Sequence, residues 1–511
     1  MRFFFLAFLF VLLFLSEKVQ GQAVSWGDQG NGTYINPILN ADYSDPDVIR
    51  VGDKYYMVCS DFHYIGMPVL ESDDMVNWRI ISQVYNRFDF PGWDNNENYG
   101  GGSWAPAIRF HDGKFWIYFC TPREGLMMST ATDPHGPWTP LHCVKNIGGW
   151  EDPCPFWDED GQAYMGRSQL GAGPIYLHRM TPDGKTLLDD GKIIYTGPVA
   201  EGTKFYKRHG YYYLSIPEGG VGEGWQTILR SKNIYGPYEK KVVLEQGNTT
   251  VNGPHQGALV DTLEGEWWFF HFQLTEPLGR VVHLQPVCWM ENWPVIGVDM
   301  NGIGEPVKVW TKPGVSKSVL VSHPQTTDDF NSYTLGLQWQ FNHNPVNTHW
   351  SLNERRGWLA LKALKAATLR ESRNMLTQKC MGYLSTATVL LDFSALADGQ
   401  RGGLFCTGSL YNGIGISREE GKNYLYLEKN GDVQQVKMVS GKKIYLRVML
   451  DAKKNRCQLF YSFDNRNFIL CGDAYSLKFG DWKGARVGLY SYNTLGIGGK
   501  CYFDWFNYDF N

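Results

Sequence analysis

Short apolar segments rich in aromatic residues recur along the first 300 residues, each following a turn that contains glycine. The segments are VGDKYYMVC, DGKFWIYFC, DGQAYMGRS, HGYYYLSIP and EGEWWFFHF, and their glycines are Gly52, Gly113, Gly161, Gly210 and Gly265. Asp-Gly and similar dipeptides favour the turns that join antiparallel strands. A repeat of roughly 50 residues accommodates one four-stranded propeller blade. The pattern therefore predicts a five-bladed β-propeller over residues 34–307.

The segments between the glycines show no long helical periodicity and are broken by Pro, Asp and Gly, as in ATDPHGPWTP. Such punctuation is typical of short strands and turns, so the fold class is all-β. A β-sandwich whose hairpins resemble one another by chance is the alternative. It is disfavoured because sandwiches seldom repeat one turn motif at nearly even spacing.

The repeat stops near residue 308, where the stretch VWTKPGVSKSVLVSHPQTT is punctuated by Pro, Ser and Thr. Alternating strands with glycine turns resume after it, as in YLYLEKN and IYLRVMLD, but without the fivefold pattern. We predict a linker over residues 308–326 and a separate β-sandwich over residues 327–511.

The amino terminus places Arg2 before an unbroken apolar run from Phe3 to Leu15, and small and polar residues follow near Gly21. This pattern predicts a secretory signal peptide over residues 1–21. A bilayer needs about 20 apolar residues, so the run is short for a spanning helix. An uncleaved anchor is the alternative. The expected location is secreted or periplasmic, without a membrane span after cleavage.

Charge and cysteine content narrow the partners. The 48 Lys and Arg residues do not exceed the 52 Asp and Glu residues, so the chain lacks the positive field that nucleic-acid binding requires. We therefore expect neutral partners. The ten cysteines fall five on each side of residue 300 and show no C-x-x-C spacing, so they are predicted to be mostly free and buried.

Candidate chemistry lies seven to eleven residues before each repeat glycine. The shared offset predicts a shared place on the innermost strand of each blade, at one end of the central channel. The residues at this place are Asp45-Pro46, Trp104-Ala105-Pro106, Asp152-Pro153, Glu201-Gly202 and Pro254-His255.

Three of these residues, Asp45, Asp152 and Glu201, are carboxylates. Converging carboxylates repel one another and raise each other's pKa, which is more typical of functional sites than of structural ones. Singly, each has an ordinary explanation, because Asp before Pro often begins a turn and Glu201-Gly202 reads as a loop. Together they fit glycoside hydrolysis, in which one carboxyl protonates the leaving oxygen and another activates water or attacks. The residues alone do not assign these roles.

With these motifs the chain resembles glycoside hydrolase family 43, the five-bladed β-xylosidases and α-L-arabinofuranosidases, over nearly its whole mature length. The segments NPILNADYSDPDVIRVGDKYYMVCSDFHY, GWEDPCPFWDEDGQAY and VAEGTKFYKRHGYYYL carry the resemblance. It implies that Asp45 is the general base, Asp152 tunes the pKa and position of the acid, and Glu201 is the general acid. It further implies inversion of configuration in a single displacement.

The resemblance also implies four substrate-binding residues. Phe62 and Trp104 would line the pocket, His255 would lie near the axis beside a cation or water, and Arg280 would contact the sugar. The alternatives are blade packing for Phe62 and Trp104, a surface ion pair for Arg280 and a satisfied buried imidazole for His255. No cofactor is expected to be required. A structural calcium or sodium ion near the axis remains open, although one histidine is a poor cation site by its own ligands.

The second domain resembles the concanavalin-like (jelly-roll) sandwich often fused to family 43 β-xylosidases. Its stretch ESRNMLTQKC resembles a family segment near the mouth of the propeller. Such a contact would narrow the channel into a pocket and favour exo action. A domain that only stabilises the enzyme or binds polysaccharide is the alternative.

The expected function is the exo-acting release of α-L-arabinofuranosyl or β-D-xylosyl groups from plant cell-wall polysaccharides or oligosaccharides. A non-catalytic glycan-binding propeller is the alternative from another class. A third candidate is a retaining five-bladed hydrolase acting on fructans. In the pattern of those enzymes, Asn precedes the first aspartate and Arg precedes the second, whereas this chain has Ser44 and Glu151 at these positions.

Overall fold

The computed structural model describes residues 25–95, 97–314, 319–496 and 498–511. The predicted signal peptide lies outside these residues. Within them the regular elements are β-strands and one 3-10 helix, Asn347–His349, which confirms the all-β prediction. None of the helices in this part of the chain is long and apolar enough to cross a membrane.

Each sequence repeat supplies four antiparallel strands that lie side by side in chain order within one sheet. These sheets, here called sheets 1 to 5, follow two short strands, β1 (Gly27–Asp28) and β2 (Thr33–Ile35). Sheets 1 and 2 comprise β3 (Ser44–Val51), β4 (Lys54–Ser60), β5 (Pro68–Ser72), β6 (Trp78–Gln83), β7 (Trp104–His111), β8 (Lys114–Thr121), β9 (Gly125–Ala131) and β10 (His142–Lys145). Sheets 3 to 5 comprise β11 (Trp150–Trp157), β12 (Ala163–Gln169), β13 (Ile175–Met180), β14 (Lys192–Tyr195), β15 (Lys204–Arg208), β16 (Tyr211–Glu218), β17 (Trp225–Ser231), β18 (Glu239–Leu244), β19 (Leu259–Asp261), β20 (Trp267–Thr275), β21 (Gly279–Met290) and β22 (Trp293–Ile296).

The aromatic segment after each repeat glycine is the second strand of its sheet, as the hairpin pattern predicted. The first strands of the sheets contact one another in the order β19, β3, β7, β11 and β15. Arg109 of β7 links the strands on either side of it, because its guanidinium donates to Asp47 Oδ2 (2.6 Å) and to Cys154 Sγ (2.9 Å). One side chain from sheet 2 therefore joins sheets 1 and 3.

The ring closes between sheets 5 and 1 without sharing a strand. Arg50 of β3 makes a bidentate ion pair with Asp261 of β19, at 3.0 Å from Nε and 2.9 Å from Nη2. The segment before β3 adds backbone hydrogen bonds between Leu39 and Val282 of β21. Closure thus depends on side chains and a short backbone bridge.

Three short strands follow the propeller: β23 (Val298–Asp299), β24 (Gly304–Glu305) and β25 (Val309–Thr311). β24 extends sheet 4, and β25 pairs with β2. Part of the predicted linker is therefore a strand that returns to the start of the chain. Lys312 fixes it by ion pairs with Asp28 (2.5 Å) and Asp74 (2.6 Å).

The remaining chain forms two antiparallel-dominated sheets that enclose a common core, as expected for a β-sandwich. Tight glycine turns join many of the neighbouring strands. The strands are β26 (Gln340–Phe341), β27 (Trp350–Ser351), β28 (Leu359–Lys362), β29 (Leu364–Lys365), β30 (Leu376–Lys379), β31 (Leu384–Asp392), β32 (Gln400–Thr407), β33 (Tyr411–Glu419), β34 (Lys422–Lys429), β35 (Asp432–Val439), β36 (Lys443–Asp451), β37 (Arg456–Ser462), β38 (Ile469–Leu470), β39 (Arg486–Asn493) and β40 (Lys500–Phe510).

A buried ion cluster joins the sandwich to the propeller. Asp61, which follows β4, accepts from Lys379 Nζ (2.7 Å) and lies 3.3 Å from Arg486 Nη2. The Arg486 guanidinium also stacks on Tyr64, with its carbon 3.5 Å from the ring centre. Lys379 belongs to the stretch ESRNMLTQKC, so this segment does contact the propeller.

We predict that Asp61→Ala lowers the free energy of unfolding by about 3–5 kcal/mol, because it leaves two buried cations without their carboxylate. Thermal and denaturant unfolding measure the change. Asp190→Ala, at an exposed carboxylate of the propeller, is the control and should leave the midpoint in place. Equal midpoints for both variants would show that the cluster does not hold the domains together.

Candidate active site

The first strands of sheets 1, 2 and 3 each begin with a β-bulge. One residue in each bulge has a left-handed backbone: Asp45 (φ 53°), Ala105 (φ 39°) and Asp152 (φ 53°). Sheets 4 and 5 have the same feature just before β15 and β19, at Gly202 (φ 63°) and Gln256 (φ 42°). Bulges re-aim side chains, and strained non-glycine residues of this kind cluster at functional sites.

The left-handed residues show which positions of the five repeats are structurally equivalent. Asp45 and Asp152 occupy the left-handed position itself, whereas Trp104, Glu201 and His255 stand one residue before it. The shared sequence offset therefore combined two adjacent positions. The position before the left-handed residue in sheet 3 is Glu151, a fourth carboxylate at the same end of the channel.

Asp45 is held by a cation and a hydroxyl. Arg280 Nη1 donates to Asp45 Oδ1 at 2.7 Å, and Ser60 Oγ, at the end of β4, donates to Oδ2 at 2.5 Å. Both Asp45 and Arg280 are buried. These two contacts fix both oxygens of the Asp45 carboxyl group in place.

Asp152 is held by three donors. Ser168 Oγ (2.8 Å) and the Gly202 amide (2.7 Å) donate to Oδ2, and Gln256 Nε2 (3.0 Å) donates to Oδ1. Burial and the neighbouring charge of Glu201 raise the pKa of Asp152 to about 6, against these hydrogen bonds. The hydroxyl from the second strand repeats the arrangement of Ser60 on Asp45.

Glu151, Asp152 and Glu201 form one carboxyl cluster, in which one oxygen of each lies within 4.8 Å of the others. Glu151 is buried, and its Oε1 accepts from the Ala172 amide at 2.9 Å. Burial, followed by the charge of Asp152, raises the pKa of Glu151 to about 9. The raised pKa favours the protonated form of Glu151. Asp45 lies outside it.

Glu201 is the most accessible carboxyl of the cluster, with 19% of its side chain exposed. His255 Nε2 lies 2.7 Å from Glu201 Oε1. His255 Nδ1 is buried without a hydrogen-bond partner among the described residues, so we assign the imidazole proton to Nε2. With Oε1 accepting from the imidazole, Oε2 is the oxygen that remains to carry an acidic proton.

An aromatic wall borders the site. The rings of Phe62 and Trp104 meet edge to face at 5.7 Å, and Trp482 of the sandwich meets Trp104 at 5.4 Å. The Trp104 indole donates to the Gly100 carbonyl at 2.8 Å, which fixes its plane. Trp482 is 47% exposed, and the centre of its ring lies 5.8 Å from the Arg280 guanidinium carbon. The second domain thus contributes a ring to the wall.

The only cluster with cation-binding spacing among the described ranges is Glu151, Asp152 and Glu201. His255 adjoins this cluster through Glu201, and its ring lies 5.4 Å from the ring of Phe272. A structural calcium or sodium ion near the axis stays a prediction.

The structure thus brings the seven predicted site residues together in pairs or clusters: Asp45 with Arg280, Glu201 with Asp152 and His255, and Phe62 with Trp104. The residues missed were Glu151, Gln256, Ser60, Ser168 and Trp482. Aligning the repeats on the residue before each bulge would have found Glu151. No sequence signal marks Trp482, because it lies 202 positions from Arg280 and in another domain.

Residues 34–294 match the Glycosyl hydrolases family 43, and residues 327–509 match the Beta xylosidase C-terminal Concanavalin A-like domain. The chain is 58% identical to a putative beta-xylosidase of Xylanibacter ruminicola over 474 residues, which cover 92% of this chain and 89% of the relative. It is 31% identical to a non-reducing end alpha-L-arabinofuranosidase of Bacteroides ovatus, over 80% of this chain and 78% of the relative.

Among solved structures, the family 43 protein of Bacillus licheniformis superposes with a TM-score of 0.82 at 28% identity, over 93% of this chain and 99% of that chain. Such relatives show an exo-acting glycoside hydrolase built from a propeller and a concanavalin-like sandwich. The chain belongs to glycoside hydrolase family 43, the family that its three carboxylate motifs had indicated.

Proposed function

We propose that this hydrolase releases single β-D-xylosyl groups from the non-reducing ends of plant cell-wall xylan or its oligosaccharides, with inversion of configuration. Asp45 is the general base, Glu201 the general acid and Asp152 the residue that tunes the acid. The observation that carries the proposal is that Asp45 is paired with the guanidinium of Arg280, whereas Glu201 and Asp152 belong to a group of three carboxyls that does not include Asp45. Inversion is proposed from the resemblance to family 43, and it requires that a water fit between the base and the sugar.

On the base side, Asp45 takes a proton from the attacking water. Arg280 and Ser60 occupy one lone pair on each oxygen of Asp45, which fixes the plane of the carboxylate and leaves a second lone pair on each. The proton of the water goes to Asp45 as the oxygen attacks the anomeric carbon. Arg280 and Ser60 hold the carboxylate in place during the transfer.

On the acid side, Glu201 gives its proton to the departing glycosidic oxygen. Asp152, which three hydrogen-bond donors hold in place, lies in the same carboxyl cluster and is the residue proposed to tune Glu201. His255 holds Oε1 and orients the carboxyl group. After one turnover Asp45 carries a proton and Glu201 lacks one, and exchange with solvent restores both.

The sugar assignment rests on the relatives. The relative with 58% identity is called a putative beta-xylosidase, which supports xylosyl release. The arabinofuranosidase of Bacteroides ovatus supports α-L-arabinofuranosyl release as the second candidate. A non-catalytic glycan-binding propeller is not supported, because Asp45, Asp152 and Glu201 are all present in an intact hydrogen-bonded arrangement.

We propose a secreted or periplasmic enzyme, supported by the charged start and apolar run of residues 1–21. The mechanism above uses no cofactor. Each step is carried by a carboxyl group, the guanidinium or the imidazole of the site.

We predict that Glu201→Gln lowers kcat on unactivated xylobiose by at least about a hundredfold, since the amide has no proton of suitable acidity to donate. Initial rates on xylobiose, and on aryl β-D-xylosides and aryl α-L-arabinofuranosides, measure the loss and identify the sugar. The unfolding midpoint should stay close to that of the parent. Glu159→Gln, at an exposed carboxylate of sheet 3, is the control. A Glu201→Gln variant with the parent's rate would remove the acid assignment.

We predict that β-xylosides yield α-xylose as the first product. Proton NMR of the anomeric region, recorded within minutes of adding enzyme, distinguishes the first-formed anomer before mutarotation mixes the two. A first signal from β-xylose would mean that configuration is retained and that Asp45 is a nucleophile instead of a base.

Ionisation of Glu151 should lower the free energy of unfolding as the pH rises. Because its pKa in the folded protein, about 9, exceeds the ordinary 4.5, the stability from its protonation is complete below about pH 4.5 and is lost as pH rises toward 9. We predict that Glu151→Gln raises the free energy of unfolding by about 1–3 kcal/mol at pH 8, with the gain vanishing near pH 4. Urea unfolding at several pH values measures it.

Glu218→Gln is the matched control of opposite sign. Burial acts against ionisation of Glu218, but hydrogen bonds from Lys240, Thr227 and Tyr195 outweigh it and lower the pKa. Replacing it should therefore destabilise the protein at pH 8, and the loss should shrink toward acidic pH. If Glu151→Gln followed the same trend, Glu151 would be an ionised, paired carboxylate.

A further inference from the structure

Asp42 is a buried carboxylate three residues before the general base. Only 2% of it is exposed, and it forms no ion pair within the described part of the chain. Its partners are uncharged donors, so the carboxylate is held by hydrogen bonds alone. A buried charge held in this way is costly to form and is stabilised only while each donor stays in place.

The donors to Asp42 come from three elements. Oδ1 accepts from Ser44 Oγ (3.0 Å), next to the base in the chain, and from the backbone amide of Arg280 (2.9 Å) at the start of β21. Oδ2 accepts from the amide of Gly484 (2.9 Å), in the sandwich loop before β39. One carboxylate therefore joins sheet 1, sheet 5 and the second domain.

Each donor leads directly to the site. Ser44 is bonded to Asp45 in the chain, and Arg280 donates to Asp45 through its guanidinium. Gly484 lies two residues after Trp482, the ring that completes the aromatic wall. Asp42 thus contacts the supports of both the base and the wall without reaching the reacting atoms.

The backbone segments around Asp42, at Gly279 and Gly484, are packed too closely to accept a larger residue. A Cβ added to Gly279 would lie 2.5 Å from Asp42 Oδ1, and one added to Gly484 would lie 1.9 Å from the Leu278 carbonyl oxygen. The Ala485 amide also donates to the Pro277 carbonyl at 2.8 Å. Because backbone meets backbone here, a shift of the sandwich loop must move the start of β21 and the residue Arg280.

We propose that Asp42 is a positioning residue that fixes the base Asp45 and the sandwich ring Trp482 in one geometry, so that docking of the second domain completes the catalytic site. The inference rests on the proposed role of Asp45 as base. It assigns the sandwich a part in the chemical step, through Arg280, in addition to its part in the pocket wall.

The test compares three variants of the full chain on an aryl β-D-xyloside. Asp42→Asn keeps the shape but turns one acceptor into an amide donor that faces a backbone N–H group. Gly484→Ala displaces the same contact from the sandwich side, without changing a propeller residue. Trp482→Ala removes the ring alone. Asp392→Asn, a buried carboxylate of the sandwich paired with Arg355, is the control.

Asp42→Asn and Gly484→Ala should each lower kcat by roughly ten- to a hundredfold per folded molecule and also raise KM, since small misplacements of a base are costly. Trp482→Ala should raise KM while kcat stays within about threefold of the parent, because the base keeps its support. Asp392→Asn should keep both constants, although it lowers the unfolding midpoint. Circular dichroism and the unfolding midpoint supply the folded fraction.

Two results would overturn the inference. One is an Asp42→Asn variant whose kcat per folded molecule equals that of the parent, which would make Asp42 purely structural. The other is a Gly484→Ala variant that loses stability but keeps kcat, which would separate the sandwich from the base. Asp45→Asn is measured in parallel. If it stays active, the proposed base assignment fails, and that failure is distinct from the failure of Asp42.

Discussion

The left-handed residue at the head of each innermost strand is the constraint on which the site depends. In sheet 3 the bulge brings two adjacent side chains, Glu151 and Asp152, into the same carboxyl cluster. Asp and Gly accept the backbone conformation at low cost, which explains why Asp45, Asp152 and Gly202 stand there. The residue just before it is then free to be chosen for chemistry, as Glu201 and His255 are. Five copies of one backbone feature thus yield a ring of different functional groups.

The same backbone feature places two aspartates in different electrostatic surroundings. Asp45 and Asp152 share the left-handed conformation and a hydroxyl donor from the second strand. They differ in what reaches their other oxygen, which is the guanidinium of Arg280 for Asp45 and the neutral amide of Gln256 for Asp152. Asp152 also has two carboxyl neighbours. The two aspartates therefore lie in different electrostatic surroundings although they share one backbone conformation, as their proposed roles of base and modulator require.

The fold was predictable from the sequence because its main signal is local. Each hairpin needs a glycine turn and an aromatic strand within about ten residues, so repetition alone revealed the sheets. The three carboxylates were predictable because they sit at nearly constant offsets from those turns. Glu151 was passed over because an offset that varies by one or two residues cannot distinguish the bulged residue from the one before it. Gln256 was missed for the same reason, beside the more conspicuous His255.

Contacts between the domains could not be predicted, because they depend on tertiary placement and have no sequence period. No sequence pattern marks Asp42, Asp61 or Trp482. Each is distinguished only by its contact with a partner more than 200 residues away. Their placement gives the sandwich domain a role beyond stabilising the propeller. The ion pair at Asp61 serves stability alone. The sandwich also supplies the Trp482 ring to the pocket wall and the Gly484 amide to Asp42, the carboxylate that holds Arg280. Under the proposed role of Asp42, catalysis and domain docking therefore depend on the same few hydrogen bonds.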